Sequence, residues 1–201
     1  MQQKTVLAMS VVISLLSGFA VAQDQGQLIT SAKAVPSFTL HTLNESYTSL
    51  GLSYNLENAW PILKNVYKHT TVAEVTDRDI VRYDWLKQQI ALTTAASQAL
   101  KTELGVEVND RLFAYFGTPH RAFVVAVDGE AKYGGVFLER YSAMNVRYPV
   151  IYLDEDKNGV IRMEVRPVHS INELDSSDPL WEIVRQDCIH DIFVRAGKLT
   201  P

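Results

Sequence analysis

One cysteine, Cys188, stands in 201 residues, so no disulfide can form within the chain and its core must hold it together. The five histidines, His41, His69, His120, His169 and His190, include no pair at the four-residue spacing that sets two imidazoles on one helix face for a metal. There is no G-x-S-x-G elbow, no glycine-rich phosphate loop and no H-E-x-x-H helix. No metal or cofactor is therefore expected. Excess positive charge is missing too: the formal net charge is −4, which argues against nonspecific binding to nucleic acid or anionic lipid.

The start of the chain carries the strongest pattern. Lys4, an apolar run from Val6 to Leu16, a break at Ser17-Gly18 and Ala20-Val21-Ala22 before Gln23 have the layout of a secretory signal peptide over residues 1–22. The apolar run is shorter than the roughly 20 residues a bilayer span needs, so no membrane anchor is expected after cleavage. A periplasmic or secreted protein follows. Removing those residues takes one lysine and leaves 179 residues with a net charge of −5, a length suited to one well-cored domain. Residues 23–37 are polar and read as a flexible lead-in, with a single α+β domain over 38–201.

Within that domain the apolar spacing divides in two. Helical spacing from Asn55 to Gly105 predicts a helix over Asn58 to Lys68 and a longer one with Thr76 as N-cap, Asp77 and Asp79 in its first turn and Gly105 beyond its end. Alternation then predicts strands at Ala122 to Val127, Gly135 to Arg140, Arg147 to Leu153 and Val160 to Arg166, joined as an antiparallel meander. Tyr133-Gly134-Gly135 reads as hairpin entry. In the last hairpin, a turn centred between Asp156 and Lys157 would pair Tyr152 with Ile161 and Val150 with Met163. Asp178 and Pro179 would then open a C-terminal helix running to Gly197. The expected fold is helices packed on one face of that meander.

Three groups of residues could carry function. Asp154, Asp156 and Asn158 follow the D-x-D-x-N-G opening of a calcium loop, but its twelfth position is Val165 rather than glutamate; an acidic hairpin tip explains the same residues. Arg147, Arg162, Glu164 and Arg166 would share the polar face of the last hairpin, where guanidinium groups could hold an acidic protein or a carboxylated ligand. Cys188 is the one thiol. His120-Arg121-Ala122-Phe123-Val124-Val125 followed by Asp128-Gly129, with Asp187-Cys188-Ile189-His190-Asp191-Ile192-Phe193 later, resembles the permuted papain-like hydrolases over about two dozen residues. That resemblance implies Cys188 as nucleophile and His120 as base. It departs from the family in one respect: the family's cysteine opens a helix, whereas Pro179 to Val184 place Cys188 two turns in. Residues two apart on a helix diverge, so His190 cannot serve Cys188, and an inert, buried thiol is the simpler reading. The reading that follows is a non-enzymatic binding protein for another exported protein, such as an inhibitor, an immunity protein or an envelope-assembly factor. The alternative is a cysteine hydrolase acting on peptide or acyl bonds.

Overall fold

The computed structural model describes residues 37–52, 55–103, 120–169 and 174–200. The leader at 1–22 and all but the last residue of the lead-in lie outside them. The fold is α+β: among the described residues, three helices accompany a mixed nine-stranded sheet.

The strands in chain order are β1 (Phe38–Ser46), β2 (Thr71–Thr76), β3 (Ile80–Asp84), β4 (Gln89–Leu92), β5 (Arg121–Val127), β6 (Glu130–Leu138), β7 (Val150–Glu155), β8 (Ile161–Arg166) and β9 (Leu199–Thr200). Across the sheet they lie β2-β1-β5-β6-β7-β8-β4-β3-β9. Strands β2 and β3 are seven places apart in that order, about 34 Å across a flat sheet. Only Asp77–Asp79 joins them, and the four Cα–Cα steps from Thr76 to Ile80 reach about 15 Å at most. The sheet must therefore curl until its two ends approach. The connecting turn is tied to the far end by Lys198 Nζ, just before β9, which donates to the Asp77 carbonyl (2.6 Å), while the Thr93 N–H to the Asp79 carbonyl (2.8 Å) extends the β3–β4 ladder.

Curling gives the sheet an inside and an outside. Alternate residues of β1 to β8, among them Phe38, Val75, Tyr83, Ile90, Phe123, Phe137, Ile151 and Met163, form one buried inner cluster. The outer residues Leu43, Val124, Val136, Tyr148 and Val150 pack under α1 (Leu56–Thr70), which contributes Ala59, Leu63 and Tyr67. Helix α3 (Asp187–Arg195) fills the inside with Ile189, Ile192 and Phe193. The Phe193 ring meets Phe38 of β1 at 5.2 Å and Tyr83 of β3 at 4.9 Å, both edge-on. Helices thus cover both faces, not one, because a curled sheet has apolar side chains to bury on each.

Helix α1 covers the expected Asn58 to Lys68. The long helix expected from Thr76 is instead a 3-10 turn (Asp77–Asp79), the β3–β4 hairpin and the short helix α2 (Thr94–Glu103); its expected end at Gly105 lies outside the described residues. The helix-start chemistry is real, since Asp79 Oδ2 accepts from the Thr76 N–H (2.8 Å) and hydroxyl (2.7 Å), but it closes only one turn. The misleading period comes from a bulge. The β3–β4 register shifts between Ile80 and Arg82, so Ile80 and Tyr83, three apart, both face inward and imitate helical spacing.

The meander is also corrected. Strands β5 and β6 form the expected hairpin, with Asp128 and Gly129 at φ +53° and +75°, as a type I′ turn requires. Strands β6 and β7 pair in parallel, because residues 139–149 cross over rather than turning back. In the β7–β8 hairpin Ile151 faces Val165 and Tyr152 faces Glu164, a slip of three residues from the expected pairing. The turn is longer than expected: Asp156 Oδ1 accepts the N–H groups of Asn158 (2.8 Å) and Val160 (3.0 Å), and the Asp156 N–H bonds the Val160 carbonyl at 3.0 Å. An odd slip moves side chains to the opposite face, which sends Tyr152 and Val150 outward beside Glu164 and Arg166.

The expected C-terminal helix is split. Asp178 does cap, accepting from the Leu180 N–H at 2.9 Å, but it opens a 3-10 turn (Pro179–Ile183) separate from α3. Cys188 is consequently the second residue of α3, not two turns inside a helix. The Gly134-Gly135 pair lies within β6 rather than at its entry.

Candidate functional site

At the rim where β1 ends and β5 begins, the Tyr47 N–H bonds the His120 carbonyl at 3.0 Å, continuing the β1–β5 ladder past the Ser46–Arg121 pair. The crossover from β6 to β7 passes the same rim, and a single parallel bridge ties Arg147 to Asn55, the residue before α1. Between them opens a cavity of about 770 Å³ lined by Tyr47, Thr48, Asn55, His120, Ala143, Met144, Asn145 and Arg147. His120 holds a left-handed backbone conformation, φ +52°, uncommon for a residue with a side chain. Arg147 is exposed, and its guanidinium has no partner among the described residues. Two residues picked out for different reasons, His120 and Arg147, therefore meet in one cavity.

The other members of the arginine face do not line this cavity. Glu164 is 6 % exposed and accepts from Arg140 Nη2 and Arg166 Nε, each at 2.5 Å, with Gln89 Nε2 at 3.3 Å. Burial pushes the Glu164 carboxyl up, but the two guanidinium groups outweigh it and hold the group below its ordinary range. Arg140 also lies over the Tyr152 ring at 5.1 Å, and Arg166 over Trp181 at 5.7 Å. The Tyr152 hydroxyl meets His169 Nδ1 at 2.8 Å, while His169 Nε2 donates to the Ser142 carbonyl at 2.9 Å. This is a polar network satisfied from within. Arg162 stands apart, more than half exposed and 3.9 Å from Asp156 Oδ2.

Asp156 spends one oxygen on the turn amides and turns the other toward Arg162. Backbone N–H donation keeps its carboxyl below the ordinary range. Asp154 pairs across the strands with Arg162. Among the described residues no three acidic, histidine or cysteine side chains converge on a point that could hold a metal.

Cys188 is half-buried, with Sγ 4.0 Å from Gln186 Oε1. Its helix packs at the end of β1 and β5 that holds Phe38 and its partner Val127. His120 lies at the other end, before Arg121, so about 20 Å of strand separates the two. The structure does not bring Cys188 and His120 together. It does put the cysteine at a helix start, removing the one departure from the permuted papain-like pattern while separating the thiol from the base.

Sequence reasoning missed Tyr47, Thr48, Asn55 and Asn145 in the cavity and Arg140 beside Glu164. None sits in a motif; they converge only through the crossover and the β1–β5 register. Among the described residues no helix is long and apolar enough to cross a membrane. Comparison with family models, curated protein sequences and solved structures finds no match.

Proposed function

We propose that the chain is an exported, non-enzymatic binding protein that holds another exported protein at the rim cavity. One observation carries this reading: the cavity presents recognition groups, namely a guanidinium without a partner among the described residues, an imidazole, two amides and two hydroxyl side chains, on a rim held by strand pairing. Sites that bind combine such polar groups with apolar walls. The layout of residues 1–22 supports export, and the remaining −5 charge suits a protein partner rather than nucleic acid. An inhibitor, an immunity protein or an envelope-assembly factor would all work in this way.

The test is capture of the tagged chain from an envelope extract, followed by reconstitution of the complex from two purified proteins. An equimolar complex that re-forms is the expected result. A chain that elutes alone under conditions that preserve envelope complexes overturns the reading. The helix-start position of Cys188 favours a second reading, a cysteine hydrolase, which iodoacetamide separates from the first. A binding protein with a structural thiol should label at least tenfold more slowly when native than in urea, because packing shields the sulfur. Faster labelling of the native protein favours the hydrolase.

A further inference from the structure

We propose that the rim cavity binds an oxyanion, a carboxylate or phosphate, carried on an organic body. The inference rests on the binding reading above and names the chemistry of what enters. Arg147 supplies five N–H donors in a planar fork, and no described residue uses them. Its backbone is fixed against Asn55 by the parallel bridge, so the charge is presented from a held position. His120 faces the same space from a backbone set by the Tyr47–His120 hydrogen bond. No aspartate or glutamate lines the cavity among the described residues, and Glu164 is held by Arg140 and Arg166. An anion entering here therefore meets Arg147 without a competing carboxylate from the described lining residues. The volume, about 770 Å³, lies in the range of about 300–1,000 Å³ that takes whole organic ligands rather than bare ions. Ala143, Met144 and the Tyr47 ring offer apolar wall for the remainder of such a ligand. An acidic side chain or terminal carboxylate of a partner protein, a free organic acid and a phosphorylated compound share this chemistry.

The test titrates the chain lacking residues 1–22, which is the expected exported form, with acetate, inorganic phosphate and a short acidic peptide, following backbone amide resonances. Tyr47, Asn55, Asn145 and Arg147 amides should shift with the peptide, and either acetate or phosphate should compete, which identifies the oxyanion. Arg147→Ser should weaken peptide binding about tenfold or more, the usual size of a lost charge-assisted contact, while the exposed position leaves the melting temperature within about 1 °C. Arg147→Lys should recover only part, since an ammonium keeps the charge and loses the fork. Absence of shifts with all three ligands, or undiminished peptide binding by Arg147→Ser, overturns the assignment. The two readings fail separately: a reconstituted partner complex indifferent to Arg147→Ser leaves the binding function standing and removes the oxyanion, whereas anion binding without any partner does the reverse.

Discussion

Gly135→Ala should lower stability by about 3–5 kcal/mol, or a melting temperature drop of about 10 °C for a domain of this size. An added Cβ would overlap the Pro149 carbonyl oxygen and lie 2.6 Å from its carbon and 3.1 Å from Phe123 Cζ. The first two contacts are with backbone, so no rotamer change relieves them. Pro149 is held where it is because its carbonyl accepts the Val136 N–H at 3.2 Å, at the start of the parallel ladder that pairs Val136 with Val150. Making room means moving β7 off β6 and opening the sheet at its one connection between the two hairpins. Urea unfolding followed by tryptophan fluorescence reads the effect. A midpoint within about 0.3 M of the parent, less than 1 kcal/mol at an ordinary denaturant slope, would show that β6 and β7 do not approach this closely.

That glycine shows how the sequence could be read locally and misread globally. The α+β class, helix α1, the β5–β6 turn at Asp128-Gly129 and the existence of strands β5 to β8 were all legible, because each rests on spacing or turn chemistry within a dozen residues. The β3–β4 hairpin was not. A bulge that spaces Ile80 and Tyr83 by three, followed by the four-residue turn Trp85–Gln88, produces a helical period from extended chain, and Thr76 and Asp79 supply a genuine helix start in front of it. The parallel β6–β7 pairing was hidden for a different reason: alternation along a strand says which face is buried and nothing about the direction of its neighbour. Gly135 looked like hairpin entry because the approach of Pro149, fourteen residues later, leaves no local mark.

The site was legible only in pieces. A strand starting at Arg147 would place it with Arg162, Glu164 and Arg166, whereas β7 begins at Val150 and Arg147 lines the cavity. The resemblance implies His120 as a base for Cys188, and β5 lies between the two. The neighbourhood of His120 with Asn55 and Tyr47 depends on the β1–β5 ladder, and β1 itself was not foreseen. At the acidic tip the Asp156 contacts to Asn158 and Val160 lengthen the turn and shift the hairpin by three residues. Local chemistry identified the residues; long-range register decided what they touch.

The register also sets the second large effect. By facing Tyr152, Glu164 comes to lie buried between Arg140 and Arg166, so Glu164→Gln should cost about 2–4 kcal/mol, because a neutral amide leaves two guanidinium groups partly uncompensated. Its dependence on pH follows from proton binding. The native carboxyl sits below the ordinary glutamate value of about 4.5, so between the two values the unfolded chain binds more protons than the native one, and acid favours unfolding. The stabilisation is complete above the ordinary value and is lost as pH falls through the lower, native one. The stability difference between parent and Glu164→Gln should therefore be flat at neutral pH and shrink in acid. Chemical denaturation of both proteins between pH 7 and pH 3 measures it. A difference that is absent at neutral pH, or that grows on acidification, would mean that the two arginines do not hold this carboxylate in its charged form.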